Sequence, residues 1–160
     1  MAKRQRILIA SAFSAAGRYS MLWLAAAGLG LVFDEDRTGF IVFLAAIVAE
    51  WALTNAPIKM LFQRRRPDNS SVIEHLPSWL KPPRSSSFPS GHSSAAAFAT
   101  VIFAAWEPVA GIIAAAGAAV MAWSRVEICA HHRTDVAAGL AWGALLGFIG
   151  LTLFRSAFPQ

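Results

Sequence analysis

The sequence predicts an all-α integral membrane protein, a polytopic bundle of about five transmembrane helices preceded by an N-terminal helix on the membrane surface. Three observations predict it. First, of the 160 residues 56% are hydrophobic and only 14% charged, with a mean hydropathy of +0.51, against about 25% charged in a soluble domain. Second, the apolar residues fall into five runs that reach or approach the roughly 20 residues needed to cross a hydrocarbon core. Third, the basic residues flank these runs asymmetrically. This composition excludes disorder, a coiled coil and a polar nucleic-acid binder. The net charge of +5 belongs to loops beside apolar runs, not to a nucleic-acid surface. The length fits one domain, residues 1–160. A single cysteine, Cys129, excludes an intrachain disulfide and an all-cysteine metal site.

Lys3 to Gly17 combines Lys3, Arg4 and Arg6 with Ile7, Leu8, Ile9, Ala12 and Phe13, the pattern of a basic amphipathic helix lying on a membrane. A signal peptide is the rival reading, but its apolar core would be short and interrupted by Ser11 and Ser14. The five spans are about Tyr19–Phe33, Gly39–Phe62, His92–Trp106, Pro108–Trp123 and Thr134–Phe154. The third and fourth are rich in Ala and Gly, which lets helix backbones approach closely in lipid. Residues 63–91 form the one long polar loop. Pro67, Pro77, Pro82 and Pro83 forbid a continuous helix through it, while Val72 to Leu80 reads as a short interfacial helix with Trp79 at headgroup level.

With the N-terminus inside, five spans put the 63–91 loop and the 124–133 turn inside as well. Of the 14 Lys and Arg residues, only Arg37 and Arg155 then fall outside. The bias survives setting aside the basic residues with a chemical role, and it predicts a plasma-membrane protein whose loop side faces the cytoplasm.

Polar residues at membrane depth are functional suspects, and here they collect at span ends on one side. Lys59 and Arg66 lie seven apart, about two turns, so they share one helix face and can converge on one anion near the helix end. Ser90 is a candidate N-cap, Gly91 permits close backbone approach, and free N–H groups at a helix start bind anions beside the imidazole of His92. His131 and Asp135 are four apart, so on one helix the carboxylate stacks on the imidazole and orients it. Arg125 adds a third cation. Metal ligation is disfavoured, because no HExxH occurs and the cations would repel a metal. Together these groups supply what phosphoryl transfer needs, positioning and charge stabilisation around phosphorus. His75 and His132 fall outside the pattern and read as surface histidines.

Lys59 to Pro67 reads K-x6-R-P, Pro89 to His92 reads P-S-G-H, and Ser124 to Asp135 reads S-R-x5-H-x3-D. In these three motifs, intact and in order, the chain resembles the type 2 phosphatidic acid phosphatase (PAP2) superfamily, which includes lipid phosphatases, glucose-6-phosphatases and vanadium haloperoxidases. The resemblance implies a PAP2/haloperoxidase-like helical core. It implies that His131 attacks phosphorus to form a phosphohistidine, that Asp135 orients it and that His92 protonates the leaving oxygen. It also implies that Lys59, Arg66, Ser90, Gly91 and Arg125 bind phosphoryl oxygens, without metal or other cofactor. The sequence shows one N-terminal span fewer than the six-span bacterial members.

The function expected is hydrolysis of a lipid phosphate monoester or diphosphate, with the bilayer and a membrane lipid as partners and no nucleic acid. A polyprenyl-type phosphate is favoured, since a small Ala-rich bundle encloses little volume for two acyl chains. Phosphatidic acid, phosphatidylglycerophosphate and transfer between lipids are the alternatives. A non-enzymatic anion channel or assembly subunit would explain the spans and cations but not the paired histidines.

Overall fold

The computed structural model describes residues 2–33, 37–68, 72, 74, 76 and 85–157. Six helices account for the described elements: α1 (Ala2–Ala16), α2 (Met21–Phe33), α3 (Arg37–Phe62), α4 (Gly91–Trp106), α5 (Pro108–Glu127) and α6 (Arg133–Ala157). A 3₁₀ turn, Arg18–Ser20, joins α1 to α2. Three helices are long and apolar enough alone to cross a membrane, α3, α5 and α6; α1 and α2, bent by 58°, pass the same test as a pair. The sequence count of five spans is therefore approximate, since α2 has 13 residues and α4 has 16.

The short α4 is the centre of the bundle. Ser93, Ser94, Ala95, Ala96, Ala97, Phe98 and Ala99 are all buried in it, and it packs most extensively against α6 and α5. Gly139, Gly143 and Gly147 recur every fourth residue, so they line one face of α6. A Cβ at Gly143 would overlap the carbonyl of Ser94, so here the two backbones touch and only glycine fits. Away from this seam, Ile112, Ile113, Leu145, Phe148 and Leu153 are exposed on α5 and α6. Large apolar side chains outside and small ones inside match a lipid solvent.

At the other end of the bundle Trp23, Phe43, Phe98 and Phe103 fill the core, with Phe43 stacked on Phe103 at 5.1 Å. α1 packs at the opposite end. Its Ile7 and Ala10 join Val72, Leu76, Ile128 and Ala130 in a second apolar cluster, and Arg6 pairs with Glu127 at 2.7 Å. Leu8, Ile9 and Phe13 stay exposed, as an interfacial helix requires. Val72 and Leu76 thus dock the polar loop on α1; Trp79 and His75, expected at headgroup level and at the surface, lie outside the described residues.

Two helix readings need correction. Lys59 and Arg66 do not share a helix face. Pro57 lacks the N–H that an α-helix would use, and the chain answers with a π-helical stretch, Thr54–Ile58. The helix then stops at Phe62, where Gln63 turns left-handed at φ 40°, ψ 34°, and Arg66 returns on non-helical chain. Likewise His131 precedes α6, whereas Asp135 lies in its first turn.

Candidate active site

The ends of α3, α4 and α5 and the turn before α6 meet around a cavity of about 300 Å³, lined by Lys59, Arg66, Gly91, His92, Arg125 and His131, with Gly17, Arg18, Ser20, Trp51, Asn55 and Ser85. A larger cavity, about 780 Å³, lies at the far end among Trp23, Phe40, Phe103 and Trp106; none of the predicted site residues lines it.

His131 is buried, and its Nδ1 lies 2.6 Å from the carbonyl oxygen of Ser87. A carbonyl only accepts, so Nδ1 carries the proton and donates it, leaving Nε2 unprotonated as an acceptor. Nε2 sits 3.4 Å from Arg66 Nη1. Burial, then the charges of Arg125 and Arg66, hold the imidazole well below its usual pKa, against the opposing bond to Ser87. The product is a neutral imidazole with its unprotonated nitrogen at a cavity of cations.

The expected orienter, Asp135, is not the hydrogen-bond partner of that ring. Its Oδ2 stands 3.9 Å from His131 Nδ1. That oxygen accepts instead from the backbone N–H of His132 at 2.9 Å and faces His132 Nδ1 at 3.1 Å. Oδ1 accepts from Arg64 Nη1 at 2.6 Å. Reaching back to the residue that caps the helix is what an acidic side chain at the third helical position does; geometry makes Asp135 a clamp on the start of α6. His132, expected at the surface, is half-buried in the same clamp.

The cations are held in a consistent way. Lys59 Nζ donates to Asn55 Oδ1 at 2.6 Å. Arg66 donates to the carbonyls of Ala130 at 2.8 Å and Ser85 at 3.1 Å. Arg125 donates to the hydroxyl of Ser14. Each acceptor is neutral, so each cation is positioned while its charge stays available to an anion. The carboxylate of Asp135 is matched instead by Arg64, which does not line the cavity.

Ser90 caps α4, its side chain accepting from the N–H of Ser93, and its own N–H donates to the carbonyl of Asp135 at 3.0 Å. It is fully buried and does not line the cavity, so it shapes the helix start while Gly91 and His92 face the pocket. The sequence reading also missed Glu50, the one acidic residue inside the second apolar run. Glu50 Oε1 accepts from Thr54 at 2.9 Å and from Ser94, and Trp142 Nε1 reaches Thr54 at 3.1 Å. This buried network ties α3, α4 and α6 together directly beneath the site.

The family model of the PAP2 superfamily matches residues 38–158, most of the chain and every cation and histidine lining the cavity except Arg18. The chain belongs to the PAP2 superfamily. This PAP2 protein is 29% identical over 136 residues to the decaprenylphosphoryl-5-phosphoribose phosphatase of two Mycobacterium tuberculosis strains, covering 83% of this chain and 72% of theirs. Its fold matches the crystal structure of a transmembrane PAP2 type phosphatidylglycerolphosphate phosphatase from Bacillus subtilis with a TM-score of 0.73 and 26% identity, covering 96% of this chain and 78% of that one. The PAP2 chain is a membrane-embedded phosphoric-ester hydrolase, a lipid phosphatase of the PAP2 type. This removes the channel and assembly-subunit readings.

Proposed function

We propose that this phosphatase hydrolyses a polyprenyl-type phosphate monoester or diphosphate through a phosphohistidine on His131, at the cytoplasmic face of the plasma membrane. Nε2 of His131 attacks phosphorus. The bond from phosphorus to the lipid oxygen breaks, and His92 gives that oxygen a proton. Water, losing a proton to His92, then attacks the phosphohistidine and releases phosphate and His131. Lys59, Arg66 and Arg125 and the N–H groups at the start of α4 neutralise the charge that develops on the phosphoryl oxygens.

The observation that carries the reading is the contact of His131 Nδ1 with the Ser87 carbonyl, which puts the proton on Nδ1 and turns an unprotonated Nε2 toward the cations of the cavity. Support for a single-tailed lipid comes from an apolar groove of about 260 Å³ lined by Leu24, Ile47 and Val48, which shares Ser20 and Trp51 with the catalytic cavity. The groove runs between α2 and α3, and its small volume suits one tail. The mycobacterial relative is named for a decaprenyl-linked substrate, which favours the same class.

The test is phosphate release by the pure protein, in excess EDTA, from a panel of polyprenyl phosphate, polyprenyl diphosphate, phosphatidic acid and phosphatidylglycerophosphate. The reading expects the polyprenyl substrates to have the highest kcat/KM. Preference for a two-chain lipid would overturn the substrate class while leaving the hydrolase intact.

A further inference from the structure

α1 lies outside the residues matched by the family model, 38–158, yet its C-terminal end reaches the centre of the site. We propose that α1 is a working part of the catalytic site and that Ser14 is its positioning residue, holding Arg125 and His92 in place for the phosphoryl group. The proposal rests on the roles given to those two residues above.

Ser14 is buried while its neighbours Ala12 and Phe13 are exposed. Its hydroxyl accepts from Nη1 of Arg125, and its main chain lies beside the ring of His92. One residue therefore touches both a phosphate-binding cation and the general acid. Arg125 itself is 6% exposed, and its Nε has no hydrogen-bond partner. Among the described residues no carboxylate pairs with it. A neutral hydroxyl fixes the guanidinium without neutralising it, so the whole charge is kept for an anion entering the cavity. An acidic residue at position 14 would do the opposite.

The end of α1 is packed closely against α5 and His92. A Cβ at Gly17 would meet the thioether of Met121 and come within 3.0 Å of Cδ2 of His92. Gly17, Arg18 and Ser20 then complete the wall of the cavity. The outer side of the same helix carries exposed Leu8, Ile9 and Phe13. α1 thus turns one face outward and seats Ser14 on Arg125 with the other.

Ser14→Ala and Ser14→Thr test this, read by kcat on a polyprenyl phosphate, by inhibition with vanadate and by melting temperature. The expected result is a roughly tenfold loss of kcat in Ser14→Ala with a matching loss of vanadate affinity, an unchanged melting temperature and recovery of both in Ser14→Thr. Wild-type kcat and vanadate inhibition in Ser14→Ala would overturn the proposal. A loss that follows a lowered melting temperature and is not restored by threonine would overturn it too. A second variant, Gly17→Leu, wedges α1 away from His92 and should cost more on an alkyl than on an aryl phosphate; equal losses would refute the hold on His92. Wild-type protein that releases no phosphate would strike the reading of the site itself, not this inference alone.

Discussion

The carbonyl of Ser87 and Nδ1 of His131 lie 2.6 Å apart, and this one contact selects the tautomer on which the proposed chemistry depends. Ser87 is itself held by Arg64, whose carbonyl accepts its N–H at 2.9 Å. The segment after α3 thereby sets the proposed nucleophile through two main-chain bonds.

A pH dependence follows with a definite sign. Burial and the neighbouring guanidinium groups lower the pKa of His131 below its ordinary 6.5, which favours the neutral, nucleophilic form. Acidification must therefore pass well below pH 6.5 before the ring protonates and attack is lost. The acid limb of kcat/KM, corrected for ionisation of the substrate, is expected below pH 6.5. A limb at or above that value would contradict a neutral buried nucleophile.

Arg64 pairs with Asp135 at 2.6 Å and also donates to Thr134 at 2.8 Å. Arg64→Ala leaves the fully buried carboxylate without its cation, at a cost of about 1–3 kcal/mol. We expect lower thermal stability and lower activity, and less than additive losses when Arg64→Ala is combined with Asp135→Asn. Additive losses in the double-mutant cycle would show that the pair is not coupled.

His92→Ala should lower the rate roughly 10² to 10⁴-fold on an alkyl lipid phosphate, because a poor leaving oxygen needs its proton. An aryl phosphate should recover relatively more activity. Equal losses on the two substrates would assign His92 to binding.

The three motifs were legible in the sequence because phosphoryl chemistry demands particular side chains, and each of these lies near the cavity or its supports. The connections between them were not. Arg66 reaches the pocket only because Gln63, neither Gly nor Asn, adopts a left-handed turn, and because Pro57 opens a π-helical stretch that the apolar pattern conceals. The orienter of His131 is a main-chain carbonyl, which any residue could supply, so no side-chain pattern can announce it. Arg64 and Arg65 are identical neighbours in a basic run; only the fold decides that Arg64 meets Asp135. The helices themselves were readable from apolar length, and their central seam from Ala and Gly content, but the placement of α1 against the site depended on long-range contacts.

The basic residues carry the proposal on sidedness. Arg37 and Arg155 stand at the end of the bundle opposite the site, and the loop end holds Arg64, Arg65 and Arg133 together with α1. This predicts a cytoplasm-facing site. With Cys129 replaced by serine, single cysteines at Arg133 and Ser156 sit at opposite ends of α6. An impermeant thiol reagent on intact cells should label the Ser156→Cys variant and spare Arg133→Cys. The reverse pattern would place the site outside.

The central claim is that His131 is the nucleophile. Enzyme mixed with lipid substrate carrying labelled phosphate and denatured in alkali, where a phosphoramidate survives, should carry label on His131 in the peptide digest. His131→Ala should carry none and should not turn over. Label on another residue, or wild-type-like turnover by His131→Ala, would contradict the account.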